Sequence, residues 1–218
     1  VFDKIFELSG GVFIWIKFVE ARIRNLGLTL GGITPTSVGT IPSGRDNVYW
    51  EYFGMLRKRL GNNDELYQNV VALALLTTRE FIPERVWQEA LLGYESSGTA
   101  EGNERFSKQV LEPVSKLLLF ADAEGSNERV LKPPHKSMVD WLTLGHFDLG
   151  VRAEKRHHYM VGKVLHRIFL EEKGDFKEGG QSFSLQFAVA HVCFHYTQAG
   201  ELERAFQLFT NFDHLVKI

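Results

Sequence analysis

Leu118-Leu-Phe-Ala-Asp122, Glu124-Gly-Ser-Asn127 and Arg129-Val-Leu-Lys132 together form the stretch of sequence that decides the fold. The first and third segments are short extended runs typical of strands, and the polar segment between them is typical of a hairpin turn. The segments around this hairpin have helical patterns. Three helices followed by such a hairpin predict a winged helix-turn-helix.

The three helices of the predicted winged helix lie upstream of the hairpin. Pro83 suits the first position of the middle helix, and Gly93 ends it. Pro113 should bend or divide the last helix. A polar loop from Glu95 to Asn103 is expected before that helix. The predicted ranges are Asp64 to about Thr78, Glu84 to Leu92 and Arg105 to Leu118.

The rest of the chain is predicted to be helical apart from one linker rich in Gly, Ser, Thr and Pro, Gly27 to Gly44. The fold class is therefore mainly α: a helical segment with its linker, the winged helix with its small β-hairpin, and a helical hairpin that begins a solenoid-like arm. The expected domains are 1–45, 46–145 and 146–218. The remaining predicted helices are 11–25, 48–60 after caps at Asp46 and Asn47, 136–142, 151–172, 183–198 and a short pair within 201–217.

Composition excludes several classes of protein. The 218 residues carry 25 basic and 27 acidic side chains, a net charge of −2, which argues against a dedicated nucleic-acid or membrane-surface binder. The first apolar run, Gly11 to Lys17, is too short to span a membrane. A single cysteine, Cys193, cannot form an internal disulfide, so the expected compartment is the cytoplasm.

The chain is expected to be a piece of a longer polypeptide. It begins at Val1 inside a half-completed helical pattern, and no leader sequence precedes the first apolar run. One helical hairpin cannot bury both of its faces, so the helical stack is expected to continue beyond Ile218.

Motifs for catalysis are missing from the sequence. The chain has no Gly-x-x-x-x-Gly-Lys-[Ser/Thr] phosphate loop and no Gly-x-Ser-x-Gly nucleophile elbow. Ser137 and His135 diverge on a helix and would not form a catalytic pair. The sequence therefore predicts that this chain alone is not an enzyme and binds no cofactor by itself.

Two groups of histidines are candidates for metal ligands. His191 and His195 share one helical face, but Cys193 points away from it and no further ligand is evident, so the pair is interpreted as packing. His157 and His158 lie on a helix rich in Arg and Lys and are expected to be solvated. No metal site is predicted.

The winged helix raises the possibility of DNA binding. The candidate recognition helix, Glu84 to Leu92, offers Arg85 and Gln88 to base edges, but Glu84 and Glu89 on the same helix would repel phosphates. A winged helix without a basic face is expected to pack against protein.

His135 is the candidate binding residue. It follows the second strand, is preceded by Pro133 and Pro134, and begins a short helix, where an imidazole can donate a hydrogen bond to a phosphate oxygen. The alternative is that His135 caps its own helix or satisfies a core carbonyl.

The order of several strings resembles signal-transducing STAND ATPases of the NACHT type, in the region after the nucleotide-binding core. The resemblance spans nearly the whole chain. It implies a winged helix followed by a helical arm that leads into repeats such as WD repeats. The strings are Ser9-Gly-Gly-Val-Phe-Ile-Trp-Ile-Lys17, Tyr49-Trp-Glu-Tyr-Phe-Gly-Met-Leu56, Tyr67-Gln-Asn-Val-Val-Ala-Leu-Ala-Leu-Leu76 with Arg79-Glu-Phe-Ile-Pro83, His135-Lys-Ser-Met-Val-Asp-Trp-Leu142, and Tyr196 to Leu215.

The resemblance implies a nucleotide-dependent switch. By position, His135 would contact the β-phosphate of ADP held by an upstream module of the intact parent, and exchange for ATP would release that contact. The flanking residues here are Pro134 and Lys136 rather than the family's methionine and aspartate, while Asp140 matches a later aspartate of the motif.

The expected function is a regulatory, non-catalytic segment that controls ADP/ATP-dependent oligomerisation. Its expected partners are the upstream nucleotide-binding module, the downstream repeats of the same chain, other proteins and further copies of the parent, with no nucleic acid and no membrane. Two alternatives are a helical-repeat interaction scaffold without a nucleotide role and a DNA-binding winged helix.

Overall fold

The computed structural model is mainly helical and contains one two-stranded antiparallel sheet among the residues that it describes. The chain divides into two compact units, Val1–Gly61 and Asn62–Ile218. The described residues are 45–77, 80–93, 99–115, 119–123, 126–132, 154–172 and 182–210, with Glu20, Thr34, Glu95, Met138, Asp140 and Trp141.

Helix α1, Arg45–Arg59, is the main described element of the first unit and confirms the helix predicted over 48–60. The prediction that Asp46 and Asn47 cap this helix is wrong, because both lie inside its first turn. It buries Tyr49, Phe53 and Leu56, which are spaced four and three residues apart on one face. Gly61 follows the helix with a φ of +71°, a conformation that glycine adopts without strain. The predictions for 11–25 and 27–44 lie almost wholly outside the described residues.

The second unit contains all the remaining described elements. No helix in the described part of the chain is both long enough and apolar enough to cross a lipid bilayer. The elements are α2 (Asp64–Thr77), α3 (Glu84–Leu92), α4 (Ala100–Phe106), α5 (Glu112–Val114), β1 (Leu119–Asp122), β2 (Arg129–Lys132), α6 (Lys155–Glu172), α7 (Phe183–Ala199) and α8 (Leu202–Thr210).

Helix α2 lies at the centre of the second unit. The Asn63 side chain caps it by accepting a hydrogen bond from the Leu66 N–H at 3.0 Å. From Val70 to Ala74 every side chain is buried, the pattern of a helix surrounded by protein on all sides rather than along a single stripe. Helix α2 contacts α3, β2 and α6.

The helix predicted over Arg105 to Leu118 differs from the structure at both ends. It begins earlier, at Ala100, because the Thr99 hydroxyl accepts from the Gly102 N–H at 3.0 Å and caps the first turn. A π-helical turn, Ser107–Leu111, then leads into α5. This wider turn comes just before Pro113, whose ring clashes with the preceding turn of a regular α-helix. The bend predicted at Pro113 is therefore present as a π-helical turn.

Strands β1 and β2 confirm the predicted hairpin. They pair antiparallel, with Leu119 opposite Lys132 and Asp122 opposite Arg129. Upstream in sequence, Pro83 forms a single bridge with Val130, and the Leu131 N–H donates to the Ile82 carbonyl at 3.2 Å. The segment before α3 therefore lies alongside β2.

Helices α6, α7 and α8 form consecutive packed neighbours. The Ser182 hydroxyl caps α7 by accepting from the Leu185 N–H at 3.0 Å, and Gly200 ends α7 in the left-handed region with a φ of +85°. Gly162 of α6 lies against Tyr196 of α7, where an added Cβ would approach the Tyr196 ring at 3.2 Å. The small residue lets the two helices approach closely.

Replacing Gly162 with alanine is expected to lower the free energy of unfolding by about 1 to 3 kcal/mol, because the buried Tyr196 ring must shift to admit the methyl group. Urea unfolding followed by circular dichroism measures this change. The matched control is Gly54→Ala in α1, where a Cβ meets no atom within 4 Å and stability should stay the same or rise. Equal losses in both variants would contradict close packing at Gly162.

Candidate functional site

The polar contacts of the second unit concentrate where two parts of the chain meet. We call α2 through β2 the body and α6 through α8 the arm. Helix α6 of the arm packs against α3 and α2 of the body. Three groups of polar contacts lie along this junction.

The first group is an ion-pair network between α3 and α6. Glu89 of α3 is buried and binds Arg167 of α6. Glu89 also accepts from Arg85 Nε, one helical turn earlier, at 3.1 Å. Arg85 in turn binds Glu172 at the end of α6, and Arg167 binds Glu171 at 2.6 Å.

The network has a physical requirement. A carboxylate removed from water is costly unless cations and hydrogen-bond donors surround it, and Glu89 has one guanidinium from its own helix and one from α6. Since Arg167 comes from the arm, the charge on Glu89 is fully compensated only when α6 lies against α3. The pairs therefore fix the arm to the body.

The second group is a carboxylate held between two histidines. Glu80, in the connection between α2 and α3, contacts His191 Nδ1 through Oε2 at 2.6 Å and His195 Nε2 through Oε1 at 2.7 Å. The sequence prediction that these histidines share a helical face is confirmed, but the sequence pattern did not identify Glu80 as their partner. These distances place the Glu80 carboxylate in direct contact with both imidazoles.

Burial and hydrogen bonding oppose each other at Glu80. Burial alone raises its pKa, but the hydrogen bonds from His191 and His195, with their charges, outweigh it and hold the pKa at about 2 instead of 4.5. Glu80 therefore remains ionised. No cluster of three or more His, Cys, Asp or Glu side chains suited to a metal ion is present within the ranges that the structure describes.

The prediction that His157 and His158 are solvated is wrong, because they are only 1% and 7% exposed. The basic neighbours face solvent while the two histidines face inward at the start of α6. His157 Nδ1 accepts from the Glu154 N–H at 3.0 Å, the arrangement of a capping box. Burial and the Arg156 charge lower the His157 pKa to about 4 against the opposing effect of Glu154.

The third group joins the hairpin to the arm. The Glu128 carboxylate, beside β2, accepts from the Ser184 N–H at 3.1 Å and from the Ser184 hydroxyl. A carboxylate at this position stabilises the positive end of the α7 dipole. Ser182, the cap of α7, also donates to Glu172 at 2.5 Å, which links the end of α6 to the start of α7.

Other residues singled out from the sequence have definite positions. Gln88 donates to Asn103 at 2.7 Å, and His166 contacts the Tyr196 hydroxyl at 3.1 Å. Cys193 lies 3.8 Å from the Ala205 carbonyl, away from the face of His191 and His195, as predicted. His135 and His214 lie outside the described residues.

Comparisons of the chain with protein-family models, curated proteins and solved structures found no match. The function proposed for this chain therefore rests on the geometry of the junction and on the sequence patterns.

Replacing Glu80 with glutamine is expected to lower the free energy of unfolding at neutral pH by about 3 kcal/mol, since an amide cannot accept from both imidazoles. Because the folded pKa of Glu80 lies below its ordinary value, its stabilisation is present above about pH 5 and is lost as the pH falls towards about 2. Urea unfolding over this range should show a decline in the wild type that is smaller in Glu80→Gln.

The control for Glu80 is Glu104→Gln, which removes an exposed carboxylate that pairs with Lys108 on the same helical segment. This change should alter stability by less than about 0.5 kcal/mol. A Glu80→Gln chain with the acid dependence of the wild type would contradict the assignment of Glu80.

Proposed function

We propose that this chain is a regulatory, non-catalytic segment of a NACHT-type STAND ATPase. In this proposal a winged helix within 46–145 senses the nucleotide, and the arm transmits the nucleotide state to oligomerisation. The observation that carries the proposal is the bonded junction between body and arm, through which a change at the body would move the arm.

The element order of the body supports a winged helix. The body begins with helix α2, the single bridge at Pro83 and helix α3. Helix α4, the π-helical turn and α5 then form one continuous helical segment before the hairpin β1–β2, which gives the order helix, strand, helix, helix and two strands. A winged helix has this order, with its first strand beside its last. Here Pro83 pairs with Val130 of the last strand.

The partners of α3 favour protein packing over DNA reading. Arg85 is bonded to Glu89 and Glu172, and Gln88 is bonded to Asn103. Glu84 pairs with Arg129 of β2. A side chain that reads bases must be available in the major groove, whereas these are engaged within the chain.

The arm has features of a helical-repeat segment. Helices α7 and α8 form a hairpin around Gly200, and α8 presents Leu202, Phe206 and Phe209 on an exposed face. Exposed apolar side chains at this spacing are typical of surfaces that bind another helix or protein. This face also favours the second candidate function, an interaction scaffold without a nucleotide role.

His135 is proposed to contact the β-phosphate of ADP in the intact parent. In sequence it lies between Lys132, the last residue of β2, and the buried side chains of Met138 and Trp141. An imidazole N–H has the donor chemistry to bind a phosphate oxygen. ADP or ATP would supply the charged phosphate group, and the chain would supply the donor.

Replacing His135 with alanine in the longer parent is expected to reduce ADP retention by about tenfold to a hundredfold, the value of one charge-assisted hydrogen bond, and to promote oligomerisation. Nucleotide retained through gel filtration and the mass of the complex measure both effects. The control, His166→Ala, removes a histidine bonded to Tyr196 and should retain ADP. Unchanged ADP retention in His135→Ala would favour the scaffold.

A further inference from the structure

A contact between two buried histidines joins the start of α6 to the end of α7. His158 Nδ1 and His195 Nδ1 lie 3.1 Å apart, and the side chains are 7% and 0% exposed respectively. Phe194 packs edge-on against both rings, with centroid distances of 5.8 and 5.4 Å. The two imidazoles are therefore enclosed and face each other through the same type of nitrogen.

The distance fixes the number of protons between the two rings. A hydrogen bond needs one donor and one acceptor, so one Nδ1 carries a proton and the other presents a lone pair. The opposite nitrogen of His195, Nε2, lies 2.7 Å from Glu80 Oε1. A second proton between the rings would place two N–H groups head to head.

The helix ends determine which ring holds the shared proton. His195 lies near the C-terminus of α7, where the helix dipole favours a cation, and Glu80 supplies a negative charge. His158 lies in the first turns of α6, where the dipole disfavours a cation. The shared proton therefore belongs on His195, and the acceptor is His158 Nδ1.

The surrounding ionisable groups oppose a second proton. Lys155 and Arg156 add positive charge at the start of α6, although Glu154 binds Arg156 at 3.2 Å. His191 shares Glu80 with His195, so this carboxylate already serves two imidazoles. In the described part of the chain, the elements that carry the pair or pack against it also carry Glu80 before α3, Glu154, Lys155, Arg156 and His157 at the start of α6, His191 on α7, and Arg204 on α8, which binds Tyr159.

We propose that His158 and His195, with Glu80 behind them, form a proton-operated catch between α6 and α7. The catch is closed with one proton between the two Nδ1 atoms and opens when His158 takes up a second. Opening separates the start of α6 from the end of α7 and weakens the contacts of His191 and His195 with Glu80. The catch goes beyond the proposed function and does not depend on a nucleotide.

The test compares the wild-type chain with His158→Gln by urea unfolding from about pH 7.5 to about pH 5, the range in which histidine titrates. The side-chain carbonyl of glutamine can accept from His195 Nδ1 at every pH without titrating. The ratio of the two unfolding constants is expected to change by up to about tenfold per pH unit, the value for one additional proton bound on opening. His157 remains in both chains, so the ratio isolates His158.

Ring ¹⁵N spectra of the wild-type chain give a second readout that does not depend on the variant folding. At the upper pH one Nδ1 of the pair should be protonated and the other unprotonated. At the lower pH both should be protonated, and the backbone amides of α6 and α7 should lose protection from hydrogen exchange. His166→Gln, on the same helix, should keep the transition. Parallel unfolding curves, or a pair whose protonation does not change across the range, would overturn the catch.

Discussion

The structure of the second unit depends on the buried carboxylate of Glu89. A charge enclosed by protein must be compensated, and one of its two guanidinium partners, Arg167, comes from an element that follows it by 78 residues in sequence. This requirement links α3 to α6. At the edges of the network, Glu172 binds Arg85 and Glu171 binds Arg167, so that acidic and basic side chains alternate through it. The charged residues of α3 therefore serve internal contacts.

Two further contacts extend the same connection along the arm. Glu80 binds α7 through His191 and His195, and Glu128 binds the start of α7 through Ser184. Each joins a connection or turn of the body to one helix of the arm. A body bonded at several positions to a set of packed helices can transmit movement, which is the property that the proposed regulatory function needs. In the proposed function, the exposed apolar face of α8 is the surface that a partner would contact.

Local patterns predicted the elements well and the contacts poorly. The bounds of α3 are confirmed because Pro83 and Gly93 mark them, and the hairpin is confirmed because its strands and turn are adjacent in sequence. The start of α4 was missed because one hydroxyl, Thr99, caps a helix in a segment that is otherwise polar throughout. Composition alone could not reveal that cap. The role of His135 remains a prediction.

The partners across the junction could not be predicted, because a local pattern contains no information on distant segments. The basic neighbours of His157 and His158 indicated that both histidines are solvated, yet in the fold His158 faces His195.

The most direct test of the central role of Glu89 is a double-mutant cycle on Glu89→Met and Arg167→Met, measured by urea unfolding. We expect each single change to cost about 3 kcal/mol and the double change to cost much less than their sum. Additive losses would contradict the compensation of Glu89 by Arg167.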